Sequence, residues 1–397
     1  VKLAVIGDTQ HYRDEQGRLC ALEPVVNQLD RWAELFDEVV LCAPLDPGPP
    51  PAGFAPYGAA NVRIEPLRKA GGNTALAKLG LLPRLVPWAV ATRRVARQVD
   101  AVHLRCPCNI GMVAIFSTWK AVRYRYALYA GVWHSYVGEP RFFGAQRRLL
   151  GSRFFGGPVS VYAAADPEHP HLVPFFSPSY SDRDWEAAAP GADATVGRIE
   201  DDAFRGPWDL VTVGRLTVNK NQETVVRAAA ELVRRGLDVR LGVYGDGPER
   251  PRLEALATEL GAGEQITFHG SVGHPEVMAA FAAADLNLLS TRQEGYGKVL
   301  LEGMVHSAVP VFSRSPVADE IAGGGDRGVV VDADDWAAMA DEVEALIVDR
   351  PRWAAMARAA RIFSGTVTLE TFQQRVCSML ESQWGVRLPD PDAPAGS

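Results

Sequence analysis

The chain has 397 residues, of which 47% are hydrophobic and 22% charged, with a net charge of −7; this suits two domains of ordinary globular composition and excludes wholesale disorder. Five cysteines, Cys20, Cys42, Cys106, Cys108 and Cys377, are odd in number and scattered, without the second pair that a zinc site needs, so reduced thiols in a cytoplasmic protein are expected and no metal site is. The charge is uneven: up to Glu186 there are 21 Lys and Arg against 17 Asp and Glu, beyond it 20 against 31, and between Arg68 and Arg153 there are 15 basic residues and two acids.

The opening VKLAVIGD is too short an apolar run for a signal peptide and reads as a first strand. EVVLCAP, VRIEP, AVHLRCP, YALYAGVW and VSVYA follow as buried strands, with helices predicted over Leu22 to Phe36, Ala75 to Gln98 and Phe142 to Phe155. The longest apolar region, Leu79 to Val90, is broken by Pro83, Arg84 and Pro87, and falls short of the roughly 20 residues that span a bilayer. AAAPGADA at 187–194 predicts a linker. The rhythm then restarts with DLVTVG, VRLGVYG, ITFHG, LNLLS and AVPVFS as strands, and helices near 222–235, 249–260, 275–284, 297–306 and 336–348. Leu369 to Trp384 predicts a helix long enough to cross back to the first domain, and the tail from Leu388 a disordered end. Alternation of this kind gives an α/β fold of two doubly wound, Rossmann-like domains facing across a cleft: an N-terminal one over 1–190, a C-terminal one over 207–365, the returning helix within 366–387 and the tail at 388–397. Ligands bind outside the carboxyl ends of such strands, so function is expected in the loops at Gly214, Gly245, Gly270 and Ser290, and at Gly7, Arg105 and His134.

Four stretches of the second half carry chemistry. GRLTVNKNQE places Arg215 and Lys220 on the loop after Gly214, leading into a helix, where two cations and free amides suit a diphosphate. GDGP, with Gly245 and Asp246, is a turn that lets backbone approach a ligand. ITFHG ends in Phe268, His269 and Gly270, whose backbone can line a base pocket. Taken singly, these three are served as well by solvated cations, a plain turn and simple strand termination. EGYGKVLLE says more: Glu294, Gly295, Tyr296 and Gly297 form a flexible loop, Lys298 to Val305 a helix, and Glu302 lies in the otherwise apolar run VLLEGMV, where an unpaired charge is costly. Carboxylates are the best acceptors for hydroxyls, so Glu302 suits ribose, Glu294 a sugar, and the helix start the diphosphate between them.

In order and spacing, GRL with a lysine five residues after its arginine, GDGP, the I-x-F-x-G strand ending, EGYGKVLLE and VPVFSRSPVADEI resemble the donor domain of GT-B glycosyltransferases in the large retaining family four. The resemblance covers about 125 residues. It implies that Arg215 and Lys220 bind the donor phosphates, Glu302 the ribose and Glu294 the transferred sugar. Asn221 stands where the family usually has glycine, and Lys298, which can add a phosphate or sugar contact, where it usually has an apolar residue.

The first half departs further. The loop after the first strand, GDTQHYRDEQGR, lacks the family's paired glycines, leaving Asp8, Gln10 and His11 as candidates for the cleft wall. His134 resembles the family's histidine beside the reacting carbon, and is equally accommodated as a satisfied histidine at a strand end. The basic, aromatic helices within 68–153 suit an anionic membrane surface, although core helices with a charged outer face look the same. Nucleic acid is not expected as a partner. The expected activity is retaining, metal-independent transfer from a nucleotide diphosphate sugar, a substrate and not a cofactor, to a saccharide or lipid-linked acceptor, with no catalytic nucleophile in evidence. The alternatives are a phosphorylase or epimerase on the same fold and a catalytically silent nucleotide-sugar-binding protein.

Overall fold

The computed structural model describes residues 1–51, 53–70, 80–136 and 138–389. Internal contacts divide the chain into two units, Val1–Phe176 with Leu369–Ser397, and Ser177–Thr368.

The first unit holds β1 (Lys2–Ile6), β2 (Tyr12–Arg13), β3 (Leu19–Leu22), β4 (Glu38–Pro44), β5 (Phe54–Pro56), β6 (Val62–Leu67), β7 (Ala101–Cys106), β8 (Tyr124–Tyr129), β9 (Val159–Val161) and β10 (Leu172–Pro174). Seven of these form a parallel sheet in the order β10-β9-β8-β7-β1-β4-β6. Runs such as Val39 to Ala43 are buried on both faces, the mark of a parallel sheet covered by helices on each side. On one face, Trp88, Ile110, Ile115 and Leu150 from three helices pack onto Ala4, Val102 and Ala127. On the other, Trp32 of the helix Glu23–Ala33 stacks on His103, 4.5 Å between ring centroids, and lies 5.1 Å from Tyr126. Strand order reverses between β1 and β7, so the crevice outside their carboxyl ends lies between Gly7 and Arg105.

The helix Leu369–Trp384 belongs to this unit. Arg31 pairs with its Glu370 at 2.5 Å, Gln373 donates to the Arg31 carbonyl and the Glu34 carboxylate, and Phe372 meets Phe175 and Phe176 edge to face.

The second unit holds β11 (Trp208–Val213), β12 (Val239–Tyr244), β13 (Ile266–Gly270), β14 (Leu286–Leu289), β15 (Val309–Ser313) and β16 (Val329–Val331). They form a parallel sheet in the order β13-β12-β11-β14-β15-β16. Its reversal point falls between β11 and β14. Helices Gln222–Arg234, Arg250–Glu259, His274–Ala283, Lys298–Val305 and Trp336–Val348 follow the strands in turn.

The α/β class and the doubly wound sheets match the alternation read from the sequence; several details differ. Residues 177–190 pack with the second unit and not the first: Tyr180 donates to the Ser364 carbonyl, and Trp185 Nε1 to the Arg361 carbonyl. AAAPGADA is not a linker. Most of it lies in the helix Ala189–Glu200, whose proline sits in the first turn, where no intrahelical N–H is lost. The predicted loop GDTQHYRDEQGR pairs as β2 against β3 in a small antiparallel sheet completed by β5. Residues 75–79 of the predicted helix Ala75 to Gln98, and the tail from 390, lie outside the described residues; the rest of that helix is Leu82–Ala96.

Candidate functional site

In the second unit the loops leaving β11, β12 and β13 are laced together by their backbones. Gly214 N donates to the Tyr244 carbonyl at 2.9 Å, Gly245 N to the Gly270 carbonyl at 2.7 Å, and Leu216 N to the Asp246 carbonyl at 3.0 Å. Only glycine fits at two of these crossings. A Cβ on Gly245 would sit 2.0 Å from the Gly214 carbonyl oxygen, and one on Gly247 2.2 Å from that of Leu216. The GDGP turn is therefore a brace that fixes the Arg215 loop.

Across the reversal point, the β11 loop is tied to the β14 loop. Lys220 Nζ donates to Glu294 Oε2 at 2.6 Å, with both side chains partly buried. Arg292 N donates to the Asn219 carbonyl, Asn219 Nδ2 to the Gln293 carbonyl, and Ser290 Oγ to the Asn221 carbonyl. Glu294 Oε1 also accepts from Gly295 N at 3.1 Å. An ammonium has three hydrogens, so Lys220 can hold Glu294 and still donate to an incoming oxyanion. Arg215 is exposed, and its guanidinium makes no ion pair among the described residues.

Glu302 lies in the helix Lys298–Val305, which begins after Gly297 in the left-handed conformation, φ 79°. The residue is 6% exposed, and its Oε1 accepts from Ser179 Oγ at 2.5 Å. Oε2 has no hydrogen bond among the described residues, so a buried carboxylate keeps one oxygen for further hydroxyl donors. The Tyr180 hydroxyl, buried and close to Tyr296 and Glu302, is pushed well above the ordinary phenol value, by burial first and by those two groups next. Lys298 and Tyr296 flank the same turn, Tyr296 buried and Lys298 partly so.

The structure brings Arg215, Lys220, Asp246, Glu294 and Gly295 to Lys298 to the carboxyl edge of one sheet, with Glu302 one to two turns down the helix. Asp246 is exposed, held by Gly247 N at 2.7 Å and facing Arg250 at 3.7 Å. The Phe268 side chain packs against the core, and its carbonyl accepts from Arg250, so what it offers a ligand is backbone. Ser179 and Arg292 carry no sequence motif. Ser179 is 123 positions from its partner Glu302, and Arg292 bonds to Asp334 and the Val218 carbonyl.

In the first unit the candidates separate. Asp8, at the β1 end, has a side chain that meets water, yet the protein crowding it raises its carboxyl above the ordinary value, against the pull of its own amide, the Cys108 thiol, Lys69 and Arg105. Gln10 is half-buried and donates to the His11 carbonyl at 3.4 Å. His11 is no cleft wall. It is 1% exposed, with Nδ1 on the Thr9 carbonyl at 2.8 Å and Nε2 on the Tyr57 hydroxyl at 3.0 Å, and burial lowers its pKa to about 4. His134 does not end a strand: β8 stops at Tyr129, and His134 is exposed in the following loop. Among the described residues no cluster of three or more His, Cys, Asp or Glu could hold a metal, and no helix is long and apolar enough to cross a membrane.

Parallel sheets that double back in each of two units define the class: an α/β fold of GT-B type. Residues 198–363 match the family model described as glycosyl transferases group 1. The chain is 34% identical over 151 residues to the alpha-D-kanosaminyltransferase of Streptomyces kanamyceticus, covering 38% of this chain and 39% of that protein. It is 33% identical over 185 residues to the GDP-mannose-dependent alpha-(1-6)-phosphatidylinositol monomannoside mannosyltransferase of Mycolicibacterium smegmatis, covering 45% and 48%. The chain thus spans less than half the length of these two curated relatives. Among solved structures, Anabaena HepE in complex with UDP and glucose aligns over 96% of this chain and 99% of its own, with a TM-score of 0.69 and 15% identity. Sucrose-phosphate synthase of Thermosynechococcus elongatus aligns over 96% and 98%, with a TM-score of 0.68 and 16% identity. At such identities the likeness is one of fold.

Proposed function

We propose that the chain transfers a sugar from a nucleotide diphosphate sugar to a saccharide or lipid-linked acceptor, with retention at the anomeric carbon. The observation that carries this reading is the Lys220–Glu294 pair across the β11–β14 reversal, 2.6 Å between Nζ and Oε2, beside Arg215, which has no ion pair among the described residues. Arg215 and Lys220 meet the leaving diphosphate together with the amides that open the helix Lys298–Val305, and Glu302 takes the ribose through the oxygen that Ser179 leaves open. Glu294 accepts from hydroxyls of the transferred sugar. Cations and oriented amides then stabilise the charge that develops on the leaving group, so that no metal is required. Attack on the same face, assisted by a phosphate oxygen, needs no side-chain base. The mannosyltransferase relative names a glycolipid acceptor and the HepE complexes hold UDP, which supports these substrate classes for the present chain. The acceptor is assigned to the carboxyl edge of the first sheet, where Asp8 and His134 lie, and attachment to an anionic membrane surface to the basic region 68–153.

Release of nucleoside diphosphate from a panel of nucleotide sugars, measured with and without acceptor, tests the reading. Glu294→Ala should depress transfer at least 100-fold while changing nucleoside diphosphate affinity by less than about threefold. Equal loss of both would remove Glu294 from the sugar site. Donor binding with no turnover on any acceptor would favour the silent binding protein, a reading supported by the β2–β3 hairpin that stands where the family has its glycine loop. Chelator should leave the rate unchanged.

A further inference from the structure

At the opposite, amino edge of the first sheet, where β8, β9 and β10 begin, lies a cavity of about 580 Å³ whose lining includes Arg123, Tyr124, Arg125, Arg153, His171 and Trp384. The donor and acceptor sites proposed above make no use of it, although Arg123, Arg125 and Arg153 fall within the basic region 68–153. The single carboxylate in the lining is Glu168; the nearby Asp166 is held by His169 at 2.8 Å.

Two buried donors here lack acceptors. Arg125 is 5% exposed; its Nη atoms donate to the carbonyls of Phe155 and Ile115 at 2.6 and 2.5 Å, while Nε has no partner among the described residues. Burial lowers its pKa to about 10, so at neutral pH it is a cation with no counter-ion. Trp384 is 9% exposed, and its indole N–H is buried without a partner among the described residues. Its ring stacks on Tyr124 at 5.1 Å and 21°, and the Arg123 guanidinium covers the Tyr124 ring at 4.9 Å. Arg123 and Arg153 are exposed and in no ion pair among the described residues. Both atoms are shielded from solvent, so what a ligand in the cavity meets is the uncompensated positive charge of Arg125 at short range and the open guanidinium forks of Arg123 and Arg153.

We propose that this cavity binds a phosphate monoester. Three arginines against one glutamate leave a formal charge of +2 in the lining, which matches a monoester, at about −1.5 to −2 near pH 7, better than a carboxylate. Guanidinium forks suit phosphate oxygens, and the stacked Tyr124 and Trp384 give an apolar wall for the carbon skeleton of the ester. The volume exceeds what inorganic phosphate fills. The source is a soluble phosphorylated sugar or polyol, or phosphatidic acid in a bilayer, toward which the exposed aromatic Phe154 beside Arg153 would turn.

The full chain is titrated with glucose 6-phosphate and glycerol 3-phosphate by calorimetry, and sedimented with phosphatidylcholine vesicles with and without phosphatidic acid. Saturable binding in either arm, weakened about tenfold or more in the double variant Arg123→Ala/Arg153→Ala, supports the site. Binding in the soluble arm assigns a free ester, and binding confined to phosphatidic acid vesicles a lipid headgroup. Binding in neither arm, or equal binding by wild type and double variant, overturns it. Both substitutions are at exposed positions, and nucleoside diphosphate binding measured in parallel reports on the loops of the second unit alone, so this site and the sugar-transfer reading can each fail without the other.

Discussion

Glu302 illustrates how a single charge can be worth more to a ligand than to the fold. Glu302, 6% exposed as a residue and with one hydroxyl donor, is poorly compensated, so Glu302→Gln should leave the melting temperature unchanged or slightly higher. Nucleoside diphosphate affinity should fall about tenfold, as charge-assisted hydrogen bonds become neutral ones. Calorimetric titration and thermal unfolding of the same samples check both halves, and unaltered affinity would place Glu302 outside the nucleotide site. His11 gives a pH dependence. Its folded pKa of about 4 lies below the unfolded value of 6.5, so unfolding takes up a proton between those limits. The contribution is complete above pH 6.5 and is lost as pH falls toward 4, by about 3 kcal/mol in all. Denaturant unfolding at pH 7 and pH 4.5 should show this loss, and His11→Gln should flatten it.

At the scale of elements, the loops after β11 and β12 depend on backbone placement that few residues permit. Gly247→Ala would drive a Cβ into the Leu216 carbonyl oxygen at 2.2 Å, and an expected loss of about 3 kcal/mol would appear in the unfolding midpoint. Asn221 has φ +50° and uses its amide to bond the Ala333 carbonyl, Asp334 and Thr224. Asparagine tolerates the left-handed region that glycine otherwise fills, which explains the departure from the family's usual residue; Asn221→Ala should cost about 2 kcal/mol. Much of this region is readable in the sequence, because parallel strands end in short glycine-marked turns and the candidate side chains follow within a few residues. What escapes is long range. Nothing near Ser179 signals that it bonds Glu302, and nothing in residues 177–190 signals which sheet they join, since Tyr180 and Trp185 find their partners around positions 361–364. His11 misleads for a related reason: a histidine in a polar loop reads as exposed until Tyr57, 46 residues on, closes over it.

For the whole molecule, the second unit is one uninterrupted stretch, Ser177–Thr368, whereas the first is assembled from both ends of the chain. A fragment of 177–368 should therefore unfold cooperatively on its own and keep nucleoside diphosphate binding, tested by calorimetry against the full chain. A fragment ending at Phe176 should not, because it lacks the helix that covers Arg31, Phe175 and Phe176.

That arrangement also sets a schedule for biosynthesis. The first unit emerges first but cannot be sealed until the helix Leu369–Trp384 has been made, some 200 residues later, a delay of roughly 10–40 s at ordinary elongation rates. Throughout that interval Phe175 and Phe176 wait on the nascent chain without the edge-to-face cover of Phe372, and Arg31 without its Glu370 partner, so the last helix to be made closes the first unit to be begun.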